Sequence, residues 1–243
     1  MTLLIALWIW SAPQAAGQFT APKPEYREQL GCAPVGLPAP VVPTMVVLGG
    51  YVHGRTMFGP GDAMIIGGGA GVQKGQQYFV RRPKTDLAVQ QPKSGALYGA
   101  HTAGWVTIVD VKDTIAVAEV TRACDGILEG DYLEPFVPPS LPPANLTGTP
   151  DYEHPGRVMM GDELRQTGAA GMVVLMDKGV DDGVRAGQLL TIYRETLGGL
   201  GPIIDVGRGT VIGANAKSAM VRIDSTRDAV YLGDLVAIHR ITQ

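Results

Sequence analysis

The chain has 243 residues, and its 20 Lys and Arg stand against 23 Asp and Glu, which gives a formal net charge of -3. Proteins that bind nucleic acid by neutralising phosphates carry a basic excess, so this balance argues against nucleic acid as a partner. The 33 Gly and 18 Pro disfavour helices and favour short strands joined by turns.

An unbroken apolar run covers residues 3–10, and small residues follow at positions 15–17. The run is shorter than the roughly 20 residues that a membrane-spanning helix needs. This pattern is typical of a signal peptide over residues 1–17, with cleavage after Gly17; a retained membrane anchor is the alternative. We therefore expect a periplasmic or extracellular protein that has no stable transmembrane anchor after processing.

Cys32 and Cys124 are the two cysteines of the chain, and the four histidines are dispersed. A structural zinc site takes four ligands, so this spacing predicts no metal site, and we expect no cofactor. In an oxidising compartment the two cysteines would close a loop of roughly 90 residues, a link that chain-entropy arguments value at about 4 to 5 kcal/mol. We predict a Cys32–Cys124 disulfide; two unrelated buried thiols are the alternative.

Fourteen of the eighteen prolines fall in two stretches, between positions 13 and 43 and between positions 135 and 155. Such stretches favour extended conformations and act as semi-rigid spacers. They predict a proline-rich N-terminal segment at 18–44 and a proline-rich linker at 137–152. The linker separates a first module at 45–136 from a second module at 153–243.

The two modules share three short sequence matches in the same order, which predicts a tandem duplication. The matches are Gly-Arg-x-Met-x-Gly at 54–59 and 156–161, Gly-Val-x-x-Gly-Gln at 71–76 and 183–188, and Gly-Asp at 130–131 and 233–234. Glycines permit positive φ, and aspartates bond to backbone in turns, so these residues are predicted structural turns. The turn residues are Gly71, Gly75, Gly130, Asp131, Gly183, Gly187, Gly233 and Asp234.

Short apolar runs bounded by these turns suggest five or six strands in each module. About 80 residues with that many short strands suit a small barrel or sandwich, which closes or covers its sheet edges. We therefore predict an all-β fold of two tandem small β-barrel-like or sandwich modules joined by the proline-rich linker.

The modules differ chiefly in one predicted surface loop, because residues 82–103 are longer and more basic than residues 195–205. Loops of this kind meet partners, and basic and aromatic side chains suit an acidic glycan, a lipid headgroup or a protein. A solvated loop without a partner explains the same residues. The candidate partner or glycan contacts are Arg81, Arg82, Lys84, Lys93, Tyr98, His101 and Trp105.

Familiar catalytic patterns are missing from the sequence. It contains no Gly-x-Ser-x-Gly and no His-Glu-x-x-His motif, and the glycine-rich run at 67–71 lacks the Gly-Lys-Ser/Thr ending of a phosphate-binding loop. The acidic turn at 177–182 does not have the spacing of an EF-hand. We therefore expect a protein that is not an enzyme.

An apolar strand, Gly-Val-x-x-Gly, a second strand, an insertion and a hairpin closed by Gly-Asp follow one another in each module. This order resembles the carboxy-terminal domain of the flagellar assembly protein T family, and it is similar to the β-modules that accompany LysM repeats in bacterial envelope proteins. The resemblance covers residues 45–136 and 153–241.

These families imply a secreted, non-catalytic structural or adaptor protein of a bacterial cell-envelope assembly. The expected partners are envelope proteins or peptidoglycan, with self-association to a homo-oligomer left open. The alternative is a glycan- or peptidoglycan-binding module that uses the basic and aromatic loop at 81–105.

Overall fold

The computed structural model describes residues 30–84, 98–137, 140–142, 148–162 and 165–240. These residues form two closed barrels of six strands each, so the predicted all-β fold is confirmed. The predicted signal peptide and Lys93 lie outside the described residues.

The first barrel and its attached strands come from the first half of the chain. Its strands are β1 (Val35–Leu37), β2 (Val46–Gly50), β3 (Met57–Phe58), β4 (Ala63–Gly67), β5 (Gln77–Lys84), β6 (Tyr98–Lys112), β7 (Ile115–Ala123), β8 (Ile127–Leu128) and β9 (Tyr132–Pro135). β1 lies inside the range predicted as the proline-rich N-terminal segment.

The second barrel comes from the second half. Its strands are β10 (Thr149–Gly161), β11 (Thr167–Gly168), β12 (Val173–Met176), β13 (Leu189–Glu195), β14 (Ile203–Ala214), β15 (Ala219–Thr226), β16 (Val230–Tyr231) and β17 (Leu235–Arg240). Short 3₁₀ turns cover Val180–Asp182 and Leu197–Gly199. β10 begins inside the range predicted as the linker.

The two barrels have the same strand order. Around the first barrel the order is β2-β4-β7-β6-β5-β9 and back to β2, and around the second it is β10-β12-β15-β14-β13-β17 and back to β10. Each barrel also carries a two-stranded pair, β3 with β8 and β11 with β16. This correspondence, strand for strand, is what a tandem duplication predicts.

The Gly-Val-x-x-Gly-Gln match forms the same turn in both halves. Both glycines have positive φ in each copy, 84° and 88° at Gly71 and Gly75 and 80° and 86° at Gly183 and Gly187. In each copy the amide of the second glycine donates a hydrogen bond of 2.8 Å to a carbonyl of the opposite strand, which belongs to Ile108 in the first copy and Val211 in the second. All four glycines therefore lie in turns whose backbone has the positive φ that glycine adopts without strain.

The Gly-Arg-x-Met-x-Gly match, by contrast, joins strands that are not equivalent. Residues 54–59 contain β3, whereas residues 156–161 form the end of β10, whose counterpart is β2. The amides of Val47 and Val158 donate to the carbonyls of Asp131 and Asp234 at 2.8 and 2.9 Å, so these valines occupy the same position. This element of the predicted repeat alignment is wrong.

Side chains fill both barrel interiors, as expected for barrels of this size. In β4 the burial alternates, because Met64 and Ile66 face the core and their neighbours are only half-buried. The fully buried aliphatic and aromatic side chains include Phe58, Ile108 and Ile127 in the first barrel and Leu190, Ile192 and Ile223 in the second.

We predict that Gly75→Ala lowers the free energy of unfolding by about 1 to 2 kcal/mol, because its φ of 88° is strained for an L-residue while the space around it is open. Gly59→Ala is the matched control, since the space around it is equally open and its φ is not positive. Urea unfolding of both variants checks the difference. Equal stabilities would show that backbone strain does not matter at the turn.

Candidate functional site

Residues 30–37, which we call the bridging segment, lie between the two barrels. β1 pairs antiparallel with β6, with Val35 opposite Ala100. On the other side Leu30 and Ala33 pack against Val173 of the second barrel. The segment therefore contacts both barrels and is the best candidate for a functional element.

A disulfide between Cys32 and Cys124, with a Cα–Cα distance of 5.5 Å, fixes the bridging segment to the first barrel. This confirms the predicted pairing. The bond packs with Phe79, Trp105 and Phe136, and the centroids of the two Phe rings are 4.6 Å apart. The disulfide and the aromatic rings thus form a separate buried cluster outside the barrel core.

A chain of hydrogen bonds supports the same segment. The Arg81 guanidinium donates to the Thr102 hydroxyl at 2.7 Å, and that hydroxyl donates to the Ala33 carbonyl at 2.7 Å. Arg81 Nε lies 2.7 Å from a carboxylate oxygen of Glu134. Burial lowers the pKa of Arg81, and the Glu134 carboxylate opposes that shift. Arg81 therefore acts as a support beneath the bridging segment.

The second barrel holds the bridging segment through a loop side chain. The Asn215 amide group donates to the Gly36 carbonyl at 2.9 Å, and the Ser218 hydroxyl donates to the Asn215 side-chain oxygen at 2.9 Å. A Cβ at Gly36 would collide with the Ser218 hydroxyl, so the close approach requires glycine here.

Next to the bridging segment, a partly buried ion-pair network in the first barrel links β5 to the turn before β9. Arg82 donates from Nε and Nη2 to the two carboxylate oxygens of Asp131, both at 2.8 Å. Its Nη2 also donates to the Gly126 carbonyl at 2.9 Å, and its Nη1 lies 3.7 Å from an Asp125 carboxylate oxygen. We call Arg82, Asp131 and Asp125 the first clasp.

The second barrel repeats this network. Arg194 donates to the carboxylate of Asp234 at 2.7 and 2.8 Å and to the Ala229 carbonyl at 3.2 Å, and it pairs with Asp228 at 3.1 Å. The hydrogen bonds to Asp234 hold the pKa of Arg194 above its usual value. We call Arg194, Asp234 and Asp228 the second clasp. Its correspondence with the first clasp, contact for contact, shows a structural role for both arginines.

Sequence reasoning identified the Gly-Asp aspartates but missed the clasps. A spacing signal was present: each arginine lies six residues after the glutamine that ends the Gly-Val-x-x-Gly-Gln turn. Each second aspartate lies six residues before the aspartate of Gly-Asp. Extending the repeat alignment outward from the two correct matches would have found them.

The structure does not gather the predicted contact residues into one exposed loop. β5 runs to Lys84 and β6 begins at Tyr98. The predicted loop bounds 82–103 are therefore wrong, because the β5–β6 ladder extends into that range from both ends. Lys84 and Tyr98 are half-buried, and Arg82 is occupied in the first clasp. The remaining described candidates, Arg81, His101 and Trp105, are buried. The glycan-binding alternative therefore relies largely on side chains that the fold encloses.

A cleft of about 250 Å³ lies beside the bridging segment, with Phe79, Arg81 and Met220 in its wall. Within the described ranges, no three His, Cys, Asp or Glu side chains are placed to hold a metal ion. No helix of the described part of the chain is both long enough and apolar enough to cross a membrane.

No family model matches the chain, and comparison with the curated proteins gives no significant match.

We predict that Arg82→Leu lowers the free energy of unfolding of the first barrel by roughly 2 to 4 kcal/mol, because it leaves the buried Asp131 carboxylate without its bidentate partner. Urea unfolding followed by the fluorescence of Trp105, the one tryptophan between residues 18 and 243, measures this loss.

Arg55→Leu is the control, because it removes an ion pair with Asp62 in which the arginine is largely exposed, and such surface pairs add little stability. If Arg82→Leu costs no more than this control, the first clasp is not a stabilising element.

Proposed function

We propose that the protein is an exported, non-catalytic structural or adaptor component of a bacterial cell-envelope assembly. The observation that carries the proposal is the bridging segment, which joins the two barrels through strand pairing, a disulfide and a side-chain hydrogen bond. An adaptor needs two surfaces held at a fixed separation, and this segment holds the two barrels in place relative to each other.

The disulfide supports the exported location. Disulfides persist in oxidising compartments such as the bacterial periplasm and are rare where thiols are kept reduced. The signal peptide predicted at residues 1–17 points to the same compartment.

The use of the shared charged residues supports a structural role. In both barrels the repeated arginine and its aspartates hold a turn against a strand end. These charged groups therefore bind one another within the fold. Exposed apolar side chains remain at separate places, Tyr51, Val52 and Met57 on the first barrel and Leu197 and Leu200 on the second. Apolar side chains exposed in groups are the usual material of protein contacts.

Site-specific photo-crosslinking in intact cells tests the proposal. The crosslinking residue replaces Tyr51 or Leu200, which are 65% and 92% exposed, and in the control it replaces Lys112, an exposed residue at the β6–β7 hairpin. We expect the first two positions to capture subunits of an envelope complex and the control position to capture none.

Capture at Lys112 equal to that at Tyr51 and Leu200 would contradict an adaptor role for these surfaces. Retention of the protein on purified cell wall without any protein partner would instead favour the glycan-binding alternative.

A further inference from the structure

His101 is fully buried in β6 between two residues that hold the bridging segment. The preceding residue, Ala100, pairs with Val35 of β1, and the following residue, Thr102, donates its hydroxyl hydrogen to the Ala33 carbonyl. Any displacement of His101 would therefore disturb these two contacts between β6 and the bridging segment.

The imidazole of His101 lacks hydrogen-bond partners within the described structure. Both ring nitrogens are buried without one, and Nε2 lies 3.5 Å from an Asp125 carboxylate oxygen. Asp125 is held more loosely than its counterpart in the second clasp: its carboxylate oxygen lies 3.7 Å from Arg82, whereas that of Asp228 lies 3.1 Å from Arg194. Asp125 thus stands between two groups that can compete for it.

Four charged groups face the ring. Asp125 and Asp131 favour its protonated form, while Arg82 and Lys84 oppose it. β1, which pairs with β6 on the other side, contributes Val-Gly-Leu and no charge. Burial is the largest influence and lowers the pKa of His101 from its usual value.

The second barrel lacks this arrangement and serves as an internal comparison. Arg82 faces His101 across the β5–β6 ladder, and its counterpart Arg194 faces Ile204 across the β13–β14 ladder. Ile204 carries no charge and is 45% exposed. A titratable side chain opposite the clasp arginine is therefore found in the first barrel and not in the second.

We propose that His101 is an acid-sensitive latch: its protonation draws Asp125 away from Arg82 and releases the bridging segment from β6. The imidazolium cannot remain buried without a partner, and Asp125 is the nearest carboxylate. Turning toward Asp125 moves the β6 backbone at the point where β1 pairs with it. Acid thus loosens the contact between the two barrels while the disulfide keeps the segment tethered.

The direction of the pH dependence follows from linkage. Because the folded protein binds the proton of His101 more weakly than the opened or unfolded chain, the latch is fully closed above a pH of about 6.5. As the pH falls below that value, the ratio of opened to closed protein rises up to about tenfold per pH unit until the lowered folded pKa is reached.

Amide hydrogen exchange at pH 7.5 and pH 5.5, corrected for intrinsic exchange rates, tests the latch on the full chain. For the wild-type protein we expect exchange in residues 33–37 and 98–102 to rise about tenfold at the lower pH, while the β12 and β15 amides stay protected. His101→Leu, which cannot take up a proton, should abolish the rise.

His239→Leu is the matched control, because burial also lowers the pKa of this histidine, which lies in β17 of the second barrel. The first-barrel response should survive in this variant. An undiminished rise in His101→Leu would overturn the proposal.

A second variant covers the case in which His101→Leu does not fold. His101→Gln keeps a polar side chain at this position of β6 and takes up no proton in this pH range, so the rise at pH 5.5 should again be absent. A full rise in His101→Gln would also overturn the latch.

Discussion

The strand pairing of β1 with β6, locked by the Cys32–Cys124 disulfide, is the constraint on which the arrangement of the two barrels depends. The same few residues meet the second barrel through the Asn215–Gly36 hydrogen bond and through the packing of Leu30 and Ala33. A cross-link between residues 92 positions apart removes much of the freedom of the opened chain. The bridging segment therefore stays near its site even when its weaker contacts break.

In each barrel the clasp links a strand to the turn before the last strand through a buried aspartate whose oxygens are fully hydrogen-bonded. A buried carboxylate is stable only when its oxygens are satisfied. Asp131 accepts two hydrogen bonds from Arg82 and one from the Leu128 amide at 2.9 Å, and Asp234 has the equivalent bonds. The first barrel departs from this pattern at His101, which brings a titratable ring close to Asp125. In the first barrel alone, a buried titratable ring thus stands next to the residues that hold the bridging segment.

Much of the fold could be predicted from the sequence, because turns and strands depend mainly on residues that are close together in the chain. Glycines four residues apart with positive φ mark the repeated turn, and short apolar runs mark the strands. The paired cysteines indicated the disulfide. The match at 54–59 misled because a Gly-Arg-x-Met-x-Gly pattern carries no geometric requirement that ties it to one strand.

The candidate site was harder to predict because it depends on long-range contacts. Arg81 and Trp105 look like surface residues in sequence, yet they are buried next to the bridging segment, which lies 44 or more positions earlier in the chain. Whether His101 is solvated or buried depends likewise on the ladder between β5 and β6. Such burial arises only once the barrel has closed, so residue type and spacing alone do not reveal it.

Nitrogen-15 NMR relaxation of the backbone amides, recorded separately for the two barrels, tests the central claim most directly. If the bridging segment joins the barrels into one body, both sets of amides report a single rotational correlation time at neutral pH. In a Cys32→Ser, Cys124→Ser variant the two values should shorten and separate. Two different and shorter correlation times in the oxidised wild-type protein would contradict the account.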